Sequence, residues 1–375
     1  MSRKVYWLAL MAICASTVLA SAQVSSSPTE VAPTTTTVVA YVYVSNSPSS
    51  GKFQIHGYSA ASDGKLTAIS GSPFSANASS GMAVNGKWMF ESDGFNLHSL
   101  SIASNGSLKQ VSEVLGDGKT LLQDSSLDHS GATLYVGTVA GAGDNGYEFF
   151  TINQTTGGLS FIGSVGGSDP DYGNTPLAFI ADNVYAYSSF CALLAPDIFG
   201  FQRSSSGTLT VLNILPSMPS GASYCPYKAA PDTTSHVAIP VWNTSTQKYQ
   251  LSVYTADSSG NLTTKSTSSN MPFDAVGNIN DISASPSGTL LAVGGSTGLQ
   301  FFHFNGANPI TKFTGALVSG KSIDQVFWDN ASHLYAISRS AGKLYVFTVT
   351  STGATQASGS PYSITGTEHL IVLPK

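Results

Sequence analysis

Apolar residues in this chain gather in short runs, and no stretch of twelve or more residues carries the spacing of an amphipathic helix. One run recurs seven times: Tyr41-Val42-Tyr43-Val44, Lys87-Trp88-Met89-Phe90, Leu134-Tyr135-Val136-Gly137, Val184-Tyr185-Ala186-Tyr187, Val237-Ala238-Ile239-Pro240, Leu290-Leu291-Ala292-Val293 and Leu334-Tyr335-Ala336-Ile337. Successive starts lie 44 to 53 residues apart, the length of a four-stranded propeller blade. A second apolar run follows each, as in Tyr249-Gln250-Leu251-Ser252-Val253-Tyr254 and Leu299-Gln300-Phe301-Phe302. Next comes a tight Gly turn into a third strand: Asp63-Gly64-Lys65-Leu66, Asn105-Gly106-Ser107-Leu108, Gly157-Gly158-Leu159, Ser206-Gly207-Thr208-Leu209 and Ser259-Gly260-Asn261-Leu262. Glycine supplies the positive φ such hairpins require.

A further strand precedes the first run of each repeat and belongs nearest the axis, as in Ile282-Ser283-Ala284 and Val326-Phe327-Trp328. The first repeat lacks it, but the chain ends in His369-Leu370-Ile371-Val372-Leu373, which fits the slot. The expected fold is all-β: a seven-bladed β-propeller of four-stranded blades, closed by the C-terminal strand, since an open propeller would leave unpaired strand edges in its first blade. A β-solenoid uses shorter coils, and an immunoglobulin array has no need of its tail to finish its first repeat.

Composition sharpens this picture. Only 10% of the 375 residues are charged and the formal net charge is −5, so no basic stripe exists to meet phosphates and nucleic acid is excluded as a partner. Arg3 and Lys4, the apolar stretch 5–20 and Ala20-Ser21-Ala22 read as an export signal over 1–22. A Ser/Thr/Pro-rich tether follows over 23–37, then the propeller over 38–375. A secreted or periplasmic monomer with no membrane span after cleavage is expected. In such an oxidising compartment the two remaining cysteines, Cys191 and Cys225, are disulfide candidates.

Loops between the second and third strands, and between blades, share one face of the disc. They are long and varied there: 140–146, 166–175, 188–197 and 214–226. Long loops on a rigid scaffold are where binding concentrates. Inner strands begin at the same face, which brings Gln123, Asp124, Tyr227, Lys228, Asn280, Asp281, Asp324, Glu368 and His369 to the mouth of the axial channel. Such a set could perform general acid–base chemistry, hold a hard cation through oxygen ligands, or be the solvated rim of a water-filled channel. Among these, His369 and Asp281 are the candidate bases and Lys228 the candidate for steadying negative charge; the others are candidate ligand contacts. No Walker loop, zinc or calcium pattern occurs, and no cofactor is expected. Trp88, Trp242 and Trp328 read as core or inter-blade packing.

Tyr41-Val42-Tyr43-Val44-Ser45-Asn46, Ile55-His56-Gly57-Tyr58, Gly64-Lys65-Leu66-Thr67 and Gly71-Ser72-Pro73-Phe74 together resemble the lactonase-type seven-bladed propellers. These are the relatives of bacterial 6-phosphogluconolactonase and of the fungal carboxymuconate cyclases. Lys343-Leu344-Tyr345-Val346-Phe347 and Gly359-Ser360-Pro361-Tyr362 echo the pattern in the last blade. The resemblance implies a Pro-Arg-His opening on an inner strand for an anionic lactone. Here the matching place holds Pro226-Tyr227-Lys228, without Arg or His, while Glu368-His369 keeps a His in the first blade. The expectation is therefore a cell-envelope propeller that binds a protein or glycan on its long-loop face. The alternative is a hydrolase of an unphosphorylated lactone at the channel mouth.

Overall fold

Hydrogen bonding divides the strands into seven antiparallel sheets. The computed structural model describes residues 37–47, 51–78, 80–116, 121–139, 145–166, 175–192, 195–212 and 216–375. The expected export signal and nearly all of the tether lie outside these residues, as do parts of the long loops.

Each sheet runs outward from an inner strand in the expected order. The first blade takes its inner strand from the chain's end: Thr367–Pro374 pairs with Val38–Asn46, placing Tyr41 opposite Leu373 and Tyr43 opposite Ile371. The core sits between blades, not within them. Seven apolar clusters form, each drawing its members from two neighbouring blades, and one joins Tyr335 and Val346 of the last blade to Val42 and Val44 of the first. An open row of seven blades would have only six such interfaces, so the clusters themselves close the ring. This also explains the apolar runs: the second strand of each blade is covered on both faces, and Tyr41 through Asn46 are all buried. Outer strands such as Leu108–Leu115 are mostly exposed or half-buried.

The glycine turns have a second role. Gly106, Gly157, Gly207 and Gly260 all adopt positive φ, and each lies against the preceding blade, where a Cβ would collide with Tyr41, Trp88, Thr133 or Tyr185. Their close approach lets Tyr43, Tyr135 and Tyr187 donate hydrogen bonds to the carbonyls of Gly106, Gly207 and Gly260 at 2.8, 2.7 and 2.9 Å. On the face away from the long loops, an Arg203–Asp128 ion pair at 2.6 Å ties the fourth blade to the third.

Two local departures matter for the site. Residues 188–197 are not simply a loop: strands Tyr185–Ala192 and Ala195–Arg203 form a hairpin paired as far as Ala192 opposite Ala195. Inward-facing backbone also breaks in the fifth blade, where strand Tyr224–Pro226 stops and Ala230–Pro231 resumes. Both pair with the same second strand, His236–Asn243.

Candidate functional site

The interruption in the fifth blade builds the centre of the site. Between its two short strands, Lys228 takes φ = 52°, the left-handed region that a long side chain seldom occupies and that tends to mark functional positions. The distortion is fixed at both ends. The Tyr227 amide donates to the Pro240 carbonyl at 2.9 Å, and the Lys228 ammonium reaches Asp281 Oδ1 of the sixth blade at 2.7 Å. Asp281 Oδ2 accepts the Val326 amide of the seventh blade at 2.8 Å. Burial opposes the charge on Lys228, but the Asp281 and Asp124 carboxylates outweigh it and push its pKa above the usual lysine range. Lys228 therefore stays charged. Burial likewise raises the Tyr227 phenol, which remains a neutral donor.

Around this pair lies a cavity of about 700 Å³, lined among others by Gln123, Asp124, Tyr227, Lys228, Asn280 and Asp324. It is the size of a small-molecule site. Six of the sequence-named residues thus converge on one funnel. Asp281 lies below it, on a narrower space of about 150 Å³ that Met82, Asp124, Pro176, Lys228, Gln325 and Leu370 also line. Those residues come from different blades, which makes this space the axial channel. Glu368 and His369 line neither cavity. The Glu368 carbonyl accepts the Arg339 Nε–H at 2.7 Å, and His369 Nδ1 lies 3.4 Å from Gln325 Nε2.

Sequence reasoning missed several wall residues. Arg339 enters the funnel from the end of the seventh blade's second strand, and its amide donates to Asp324 Oδ2 at 2.7 Å. Gln325 borders both cavities, and its Oε1 accepts the Leu370 amide at 2.7 Å. Phe190, Trp242 and Tyr249 supply aromatic surface. Trp88 and Trp328 are buried as expected, but Trp242 is a half-buried wall of the site and not a packing residue. The signal that could have found it is its position: Trp242 pairs across the hairpin with Tyr249, next to the turn on the long-loop face.

Fasteners hold this wall together. Asn280 Nδ2 donates to Ser322 Oγ at 3.1 Å and to the Ile323 carbonyl at 3.0 Å. Tyr227 donates its hydroxyl to the Asn280 carbonyl at 3.3 Å. Cys191 and Cys225 form the expected disulfide, with Cα atoms 5.4 Å apart. It ties the fourth-blade hairpin to the inner strand that leads into Lys228, and both cysteines line the funnel. Among the described residues no cluster of three or more His, Cys, Asp or Glu side chains is arranged to hold a metal ion.

Solved structures share this architecture. A candidate 6-phosphogluconolactonase from Bacteroides fragilis superposes with a TM-score of 0.66 at 15% identity, over 91% of this chain and 100% of its own. The fold is theirs. A second candidate 6-phosphogluconolactonase, from Bacteroides uniformis, gives 0.67 at 14% identity over 90% and 99% of the two chains. A Lactobacillus plantarum protein gives 0.63 at 12% identity, over 90% and 100%. At these identities the likeness is one of fold. No protein-family model matches the chain, and no curated protein matches it in sequence.

Proposed function

We propose that this is an exported propeller that binds a neutral, polyhydroxylated ligand, a sugar or the end of a glycan, in its funnel. The lining carries the reading. Each sugar hydroxyl both donates and accepts, and the funnel offers the matching mixture: Lys228 and Arg339 donate, Asp124, Asp324 and Asn280 accept, and Gln123, Asn278 and Gln325 can do either. With Asp281 paired beneath Lys228, three acids face two bases around the funnel, which disfavours an anionic ligand and suits an uncharged one. The half-exposed rings of Trp242 and Tyr249 offer flat apolar faces for the C–H side of a pyranose. Export is supported by the Cys191–Cys225 disulfide, since such bonds persist in oxidising compartments. Among the described residues no helix is long and apolar enough to cross a membrane.

Binding is favoured over hydrolysis by the state of the ionisable groups. A general base needs a free lone pair and a pKa near the working pH. Lys228 is held protonated, and neither Asp281 nor His369 lines the funnel; the Asp281 oxygens meet the Lys228 ammonium and the Val326 amide beneath it. Asp281 then serves to position Lys228. The test is calorimetric titration with a panel of neutral monosaccharides and aldonolactones, comparing wild type with Asp124→Asn and Arg339→Ala. Saturable binding weakened in both variants is expected, and no binding to any panel member refutes the reading. Lactone turnover abolished by His369→Ala or Lys228→Ala would replace binding with catalysis.

A further inference from the structure

A second cavity of about 560 Å³ adjoins the funnel, lined among others by Gln247, Lys248, Asp274, Ala275 and Lys312. Trp242, Tyr249 and Asn278 border both spaces. They form the ridge between the two spaces. The direction of the combined groove follows from its lining. The funnel sits at the axis, whereas Lys312 belongs to Thr311–Lys312, the outermost strand of the sixth blade. The groove therefore runs radially, from the channel mouth to the rim, along the boundary of the fifth and sixth blades.

We infer that this groove is built for a chain of sugars and not for a single one, with the terminal residue in the funnel and the next units crossing the ridge into the outer cavity. The inference rests on the sugar-binding reading and extends it to an oligosaccharide. Each cavity alone is already the size of a small-molecule site, so a monosaccharide leaves the second one empty. The ridge is aromatic, with the Trp242 and Tyr249 rings edge to face at 5.0 Å between centroids. Repeated C–H faces along a glycan can rest on such a pair. The outer cavity repeats the funnel's mixed chemistry: Lys248 and Lys312 donate, Asp274 accepts, and Gln247 does both.

The ridge is also rigid before any ligand arrives, which lowers the ordering cost of binding. The turn beyond Trp242 is pinned by Asn243 Oδ1, which accepts the Ser245 and Thr246 amides at 3.0 and 3.1 Å. Asn243 Nδ2 in turn donates to Gln250 Oε1 at 3.0 Å, and Gln250 Nε2 donates to the Ser268 and Met271 carbonyls at 3.0 and 3.1 Å. Asp274 Oδ1 accepts the Val276 amide at 2.8 Å, setting the opposite wall.

Neutral monosaccharides and their linear oligomers of two to six units are the probes, titrated into the full chain. Affinity in wild type should rise about tenfold or more from one unit to four. Ala275→Trp, a substitution on the exposed lip of the outer cavity, should abolish that gain and leave monosaccharide affinity unchanged. Asp124→Asn in the funnel should weaken monomer and oligomer alike. Circular dichroism and thermal melting establish that each variant is folded. Monomers that bind with no gain on lengthening, or a gain that survives Ala275→Trp, would overturn the inference and leave the funnel reading standing. Failure of every monomer and oligomer to bind would remove both.

Discussion

Removing the Lys228 ammonium should destabilise the protein chiefly through the carboxylate it leaves behind. Lys228 and Asp281 are only 13% and 8% exposed, with 2.7 Å between Nζ and Oδ1. At an effective dielectric of about 20 the gross attraction over that distance is about 6 kcal/mol. Most of it repays the desolvation of the two ions, so the pair as a whole contributes far less. Breaking one partner is different, because the remaining buried charge is uncompensated, at a cost of about 3–5 kcal/mol. Here Asp281 retains the Val326 amide, which puts Lys228→Met near about 3 kcal/mol. Asp281→Asn keeps an acceptor for that amide while removing the charge. Combined with Lys228→Met it should cost less than Lys228→Met alone, giving a coupling of about 1–3 kcal/mol. The assay is equilibrium denaturation of the four members of the cycle by urea, read by fluorescence and circular dichroism. Additivity of the two single changes within about 0.5 kcal/mol would refute the claim that the pair acts as a unit holding the funnel floor.

Other consequences follow from buried groups and the ring's fasteners. Burial raises the Glu91 carboxyl from 4.5 to about 7, partly offset by the Asn77 amide and reinforced by Asp93. Between those values the folded chain keeps a proton the unfolded chain releases, so this group's stabilisation declines as pH rises from 4.5 to about 7. The loss is on the order of 3 kcal/mol, and Glu91→Gln should flatten that part of the stability profile measured by denaturation across pH. Cys225→Ser opens a crosslink spanning 34 residues of sequence separation and should cost about 2–4 kcal/mol, with a matching fall in melting temperature on reduction of wild type. Gly157→Ala places a Cβ 2.5 Å from Trp88 at φ = 75°, so thermal melting should show a loss of about 1–3 kcal/mol; an unchanged midpoint would contradict the inter-blade role of that glycine.

The fold was legible because each blade repeats the same physical problem. Every second strand is covered on both faces, so runs such as Tyr41-Val42-Tyr43-Val44 stay apolar, and the inter-blade contacts at Gly106, Gly157, Gly207 and Gly260 each need a turn residue without a Cβ. The missing first inner strand and the spare apolar tail were complementary, which made closure readable. The ring of inner-strand openings was legible by the same register and located six funnel residues. Glu368 and His369 sit at the expected place in that register without lining the funnel. What stayed hidden depends on side-chain reach and local distortion. Arg339 arrives from the far end of a second strand, Trp242 differs from an interior tryptophan only by its place beside a hairpin turn, and the left-handed Lys228 conformation has no glycine to announce it. The extension of the 188–197 segment into paired strands was hidden for a related reason: Ser188, Ser189 and Cys191 give it the composition of a loop.

Indole proton resonances give the most direct measurement of whether the funnel receives a sugar. Three tryptophans lie in the described residues, and only Trp242 borders the funnel, while Trp88 and Trp328 are buried between blades. Titration of the nitrogen-15-labelled protein with a neutral monosaccharide found to bind should move the Trp242 indole signal saturably and leave the other two in place. A shift confined to Trp88 or Trp328, or saturable binding with the Trp242 signal unmoved, would contradict the account.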